Sequence, residues 1–146
     1  MIRRGERAQP AASRRRAPAA VAALAALALA ACSSPPPTQF PGGIAIPAGA
    51  SGLRDHVDDQ LRTMTGYYRF ELPPSQLPAF AAALHCALGE VETGPRAARE
   101  GDPDWFAPRP AQPHRSCESS ADGWIYELEV DVSRPERYTV YLAASS

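Results

Sequence analysis

Trp124-Ile125-Tyr126-Glu127-Leu128-Glu129-Val130-Asp131-Val132 sets large apolar side chains at every second position, with carboxylates between most of them. Successive side chains of a strand point to opposite faces, so this period places Trp124, Tyr126, Leu128, Val130 and Val132 on one face. Glu127, Glu129 and Asp131 share the other, where a row of acids faces solvent or a cationic partner. Tyr138 to Leu142 repeats the pattern with Tyr138, Val140 and Leu142, and Ser133-Arg134-Pro135-Glu136-Arg137 between the two runs suits a hairpin connection. Tyr67 to Leu72 reads as a third strand, with Tyr68, Phe70 and Leu72 facing in and Tyr67, Arg69 and Glu71 facing out, stopped by Pro73-Pro74.

Between and before these strands the spacing changes. Leu53, Val57, Leu61 and Met64 recur at intervals of four, four and three, which predicts a helix over 53–64 with Ser51 as its N-cap and Gly66 as its terminator. His56 lies among acids on its wet side. Leu77, Phe80, Ala81, Leu84 and Leu88 predict a second helix, capped by Ser75, with Pro78 in its first turn and Gly89 at its end. Residues 90–121 show neither period and hold five prolines, so they read as a long irregular connection. The expected fold is α+β: a small three-stranded, mostly antiparallel sheet packed against two helices, with a long disulfide-tethered loop.

The N-terminus is of another kind. Six arginines and Glu6 fill the first sixteen residues, followed by the unbroken apolar run Ala19–Ala31 and then Cys32-Ser33-Ser34. Thirteen apolar residues fall short of the roughly 20 that a bilayer-spanning helix needs. A charged block, a short apolar core and small residues before a break are the marks of an export signal. Leu29-Ala30-Ala31-Cys32 resembles the lipobox of bacterial lipoproteins. That resemblance covers residues 1–34 alone; it implies cleavage before Cys32, acylation of its thiol and amine, and a membrane address facing the periplasm or exterior. Ser33 resembles outer-membrane sorting where two membranes exist. Ser13-Arg14-Arg15-Arg16-Ala17 resembles a twin-arginine signal in part, without the hydrophobic residues that usually follow the arginine pair.

The expected organisation is a signal peptide over 1–31, a Pro/Gly/Ser-rich tether over 32–51 and one domain over 52–146. The prolines of 35–37 favour extended geometry, and such a tether would hold the domain some tens of Å from the headgroups. Phe40, Ile44 and Ile46 interrupt it and are candidates for a short edge segment. Cleavage removes 6 of the 15 arginines but only Glu6 of the 16 acids, so the mature chain carries a formal charge of about −6. An acidic surface argues against nucleic acid as a partner and against electrostatic membrane adhesion.

Three cysteines remain to be placed. With Cys32 acylated, Cys86 and Cys117 are an even pair in an oxidising compartment, which implies a disulfide. His85 and His114 beside them compose a two-His two-Cys set on paper, but neighbours on a helix point about 100° apart and cannot both face one ion, so no metal and no cofactor is expected. Trp105-Phe106, two aromatics in a polar proline-rich stretch, are either a contact for a protein or sugar partner or a cover for the sheet. No serine has a nucleophile's context and no catalytic set emerges. The sequence supports a non-catalytic, lipid-anchored envelope protein making protein contacts, or alternatively a small solute- or glycan-binding module using the 90–116 loop.

Overall fold

The computed structural model describes residues 37–94, 101–106 and 112–146; Cys32 and the segment expected to be an export signal lie outside them. Two short strands come first, β1 (Gln39–Phe40) and β2 (Ile44–Ala45), joined by a single turn at Pro41–Gly43. Then follow β3 (Ser51–Gln60), β4 (Thr63–Leu72), helix α1 (Leu77–Ala83), β5 (Glu92–Thr93), β6 (Pro113–Ala121), β7 (Trp124–Asp131) and β8 (Tyr138–Ser145). Apart from the β1–β2 pair, the described strands form one antiparallel sheet in the order β3-β4-β8-β7-β6-β5.

The alternation of β4, β7 and β8 is realised as expected, and their pairing puts the three patterns in phase. Tyr68 lies opposite Leu142 and Leu142 opposite Leu128; Phe70, Val140 and Val130 form the next row. These residues and Leu72, Tyr126 and Ala144 are buried on one inner face, under Phe40, Leu77, Phe80, Ala81 and Leu84.

Three expectations fail, and the sheet is larger and the helical part smaller than the sequence pattern suggests. Residues 51–60 are a strand, not a helix. A helix there would set Asp55 against Asp59 one turn apart, and a short isolated helix is marginal in water. Pairing with β4 instead satisfies the backbone along the full hairpin, from Arg54 opposite Arg69 to Gln60 opposite Thr63. Gly66, the supposed terminator, lies inside β4 opposite Val57. Because β3 is an edge strand wet on both faces, it carries no clean alternation to read.

The second helix is shorter than expected, ending at Ala83 rather than near Gly89. His85 takes a left-handed φ of 53°, its N–H donates to the Ala82 carbonyl at 3.0 Å, and that of Cys86 to the Ala81 carbonyl at 2.9 Å. This is a Schellman cap, a helix ending usually given to glycine. Ser75 falls in the turn before the helix and makes no capping hydrogen bond.

The supposed loop 90–121 contains β5 and β6. The Cys86–Cys117 disulfide, with Cα atoms 5.8 Å apart, bolts β6 to the residue that follows the cap. Ser119 Oγ donates to the Leu84 carbonyl at 2.6 Å, satisfying one of the acceptors a helix end leaves open. Arg115 Nε donates to the Gly89 carbonyl at 2.8 Å, and the Gly89 N–H to the Ser116 carbonyl at 3.0 Å. The described residues thus hold one α-helix and two sheets, of six and two strands, where two helices and three strands were expected.

The chain joins the body well before residue 52. Phe40 is only 2 % exposed, its ring 4.9 Å from that of Tyr68, 5.5 Å from Phe70 and 5.8 Å from Phe80. Ile44 and Ile46 pack on the same core. The turn that follows Phe40 lies against β7: Tyr126 Oη donates to the Pro41 carbonyl at 3.1 Å. Gly42, with a φ of 75°, sits so close to that hydroxyl that a Cβ would collide with it. At the opposite end of the sheet, Glu71 bridges Arg134 at 2.7 Å and Arg137 at 3.4 Å. The Arg134 hydrogen bond holds the Glu71 carboxyl below its ordinary pKa.

Reduction of the Cys86–Cys117 bridge opens a loop of 31 residues. It is expected to lower unfolding free energy by about 3 to 4 kcal/mol on the chain-entropy model, measured as the urea midpoint with and without reductant. An unchanged midpoint would mean that β6 stays on α1 without the bond.

Candidate functional site

The outer face of the sheet, turned away from α1, is built by the in-between residues: Tyr67, Arg69 and Glu71 on β4, Tyr141 and Ala143 on β8, Glu127, Glu129 and Asp131 on β7. The acidic row read from the sequence therefore exists, but it is not a face turned to solvent: Glu129 and Asp131 are buried and Glu127 is half-buried. Part of this face is roofed by the described piece of the loop, 101–106. The Phe106 N–H donates to the Pro103 carbonyl at 2.7 Å, and the turn drops the Phe106 ring onto Tyr67 at 5.0 Å and Tyr141 at 5.9 Å, both edge to face. Such pairs contribute about 0.5–1.5 kcal/mol beyond their buried area.

Phe106 is 1 % exposed and so offers nothing to a partner, contrary to its reading as an exposed contact. Trp105 is half-buried; its ring lies edge to face with Phe106 at 6.0 Å and carries the Arg54 guanidinium 4.9 Å from its centre. The two aromatics cover a sheet face rather than its open end. His56, expected among acids on a helix, lies on β3 with its ring 6.3 Å from that of Tyr67.

Beyond the roof, toward β6 and β5, the same face sinks into an open cleft of about 370 Å³. Phe106 and Tyr141 close one side. Glu92, His114, Glu118, Glu127 and Glu129 line the rest. The register creates this concentration of acid. Glu118 lies directly opposite Glu127, Ser116 opposite Glu129, and His114 between Glu92 and Asp131. Like charges directly opposed across two strands are destabilising.

His114 is held from one side. Its partner at Nδ1 is the Gln112 carbonyl at 3.1 Å, which only accepts, so Nδ1 carries the proton and donates. Nε2 then faces Glu129 Oε1 at 3.8 Å, with both side chains about nine-tenths buried. Among the described residues no hydrogen bond joins Ser116 to His114. The four-residue zinc set is dismantled: both thiols are in the disulfide. Among the described residues no cluster of three or more His, Cys, Asp or Glu is arranged to hold a metal.

Sequence reading found Glu127 and Glu129, and His114 only as a member of the discounted zinc set; it missed Ser116 and Glu118. Their signal was a polar alternation, His114, Ser116 and Glu118 against Cys117 and Ser119, with no apolar residue large enough to announce a strand. No family model, curated protein or solved structure matches the chain.

Replacing Glu118 by Gln removes one of the two carboxylates that face each other across β6 and β7. The variant is expected to be more stable than the native protein by about 0.2 to 1 kcal/mol, read as the urea midpoint at pH 7 and low salt, with the gain shrinking in high salt. A less stable variant would show that Glu118 is compensated in the fold.

Proposed function

We propose that this chain is a lipoprotein acylated on Cys32, held outside the cytoplasm. It acts without catalysis, and its outer-face cleft receives a cationic group from another envelope protein. The observation that carries the export half is the Cys86–Cys117 bridge. Disulfides persist in oxidising compartments, and this one consumes two of the three cysteines, leaving Cys32, which directly follows the apolar run, for the thioether. The attachment half rests on Leu29-Ala30-Ala31-Cys32, which resembles a lipobox and follows the apolar run Ala19–Ala31.

The binding half rests on the cleft. Carboxylates from three strands surround a hollow of a size that admits one or two side chains, on a chain whose mature charge is strongly negative. Arginine and lysine are the protein groups this chemistry recognises, and guanidinium pairs with carboxylates through two parallel hydrogen bonds. A small cationic solute is the second reading, favoured by the position of the cleft beside Phe106, where the 90–116 loop was expected to form a site. A glycan is not favoured, because Phe106 and Tyr141 are buried and present no open ring for a sugar to stack on.

The test is calorimetric titration with an arginine-rich peptide, with free arginine, with a polyamine and with an acidic peptide, accompanied by the mass of the mature protein. Expected are a diacylglyceryl-modified Cys32, a mass two hydrogens lighter before reduction, and peptide binding at least tenfold tighter than free arginine. Glu92→Gln and Glu118→Gln should each weaken the peptide. Tight binding of the polyamine alone would move the reading to a solute, and no cationic ligand binding at all would contradict it.

A further inference from the structure

His114 is the one base among the described residues that line the acidic cleft. Its side chain is nine-tenths buried, on β6 between Glu92 of β5 and Asp131 of β7. With Nδ1 donating to the Gln112 carbonyl, the neutral ring turns a lone pair at Nε2 toward Glu129 Oε1, 3.8 Å away. That separation is too long for a hydrogen bond between the two. It suits a third atom that serves both, since a nitrogen about 2.9 Å from each closes a triangle over this base. An ammonium nitrogen, or a terminal guanidinium nitrogen, carries the two N–H groups that such a position uses.

The charges around this ring have one sign. Glu92 comes from β5, Glu118 from the ring's own strand, and Glu127, Glu129 and Asp131 from β7; the Tyr141 phenol of β8 closes the side. Asp131 Oδ1 accepts the Ser133 N–H at 2.8 Å. Arg115, the next residue, gives its guanidinium to the Leu88 and Gly89 carbonyls. Arg69 of β4 lies over the Tyr141 ring at 5.9 Å, outside the lining of the cleft. Two occupants therefore compete for the same pair of acceptors. A proton on Nε2 makes the ring a cation that pairs with Glu129 directly, whereas a ligand nitrogen lodged between them needs the lone pair that the proton would take. Histidine is the side chain whose ordinary change of charge falls between about pH 5 and 8.

We infer that His114 is a binding residue of the cleft and makes it pH-sensitive: neutral, it accepts an N–H of the bound cation together with Glu129; protonated, it takes Glu129 for itself and releases that cation. The inference rests on the cleft being the cation site proposed above. It also narrows the ligand. A primary ammonium or a terminal guanidinium nitrogen fits between the two acceptors, while a quaternary ammonium, equally charged but without N–H, does not. Binding and protonation are linked, so the ligand disfavours the proton by the same factor by which the proton disfavours the ligand. Affinity therefore falls as the surroundings turn acid, and the partner is held at neutral pH.

The test is the pH profile of binding, by calorimetry, on the mature full-length protein in neutral detergent with its disulfide intact. The probes are an arginine-rich peptide, a lysine-rich peptide and the same lysine peptide trimethylated on every Nζ, all of which keep their charge from about pH 5.5 to 7.5. Expected is binding of the first two at least about fivefold weaker at the lower pH than at the higher. The trimethylated peptide should bind more weakly than its parent at the higher pH, by a similar factor. His114→Gln should flatten the profile. In the native protein, nuclear magnetic resonance at about pH 6 should show the His114 ring signals moving toward their neutral positions as the lysine peptide is added. Those of His56 and His85, both exposed, should stay; this readout holds even where the variant fails to fold. Equal affinity at the two pH values, a trimethylated peptide that binds as well as its parent, a His114 ring unmoved by peptide, or a profile that persists in His114→Gln overturns the role of His114 and leaves the cation cleft standing. Absence of binding by every peptide at both pH values overturns the cleft and this inference together.

Discussion

Every layer of this protein depends on three strands keeping their alternation in phase. β4, β8 and β7 each turn their even-numbered residues toward α1 and their odd-numbered residues outward, and the register aligns Phe70, Val140 and Val130 in a single row. A slip of one residue in any of them would bring Arg69 or Glu129 into the apolar core and expel a ring or a branched side chain, so the phase is strongly specified. Phe40 and α1 close the inner face once it exists. Phe106 closes part of the outer one, and the disulfide secures β6 to the segment after α1.

What was legible in the sequence follows from this. The three central strands are buried on at least one face along their length, so their period is written in Tyr, Phe, Leu and Val, and all three were found with the correct inward residues. The bridge was legible from cysteine number together with the expectation of an export signal at residues 1–31. β3 was not: its Leu53, Val57, Leu61 and Met64 fall at helical intervals only because the strand runs out into a turn and back. No core demands alternation on a hairpin that projects into solvent. β6 was hidden for a different reason, being held by a disulfide and by hydrogen bonds from Ser119 and Arg115 to the segment after α1. The early end of α1 was hidden too, since the cap uses His85 in a conformation that glycine normally signals.

The candidate cleft shows the same division. Its β7 wall was visible as a row of acids; its β6 wall became visible only when the register put Glu118 opposite Glu127. Two carboxylates directly opposed across strands are an arrangement that stability alone does not favour, and natural proteins tend to violate local rules at sites of use. Beside it lies the aromatic pair that the sequence left as either a partner contact or a cover for the sheet: Phe106 is buried and gives shape to one wall, while Trp105, half-buried, lies under Arg54.

The most direct test of the sheet on which all of this is built is a map of proton–proton contacts by nuclear magnetic resonance in the oxidised protein. Contacts across the strands between Val57 and Gly66, Phe70 and Val140, and Glu118 and Glu127 are expected, together with contacts from the Phe40 ring to Tyr68. Successive amide–amide contacts with helical i to i+3 contacts over 53–64, in place of the Val57–Gly66 pair, would contradict the six-stranded sheet and the placement of everything attached to it.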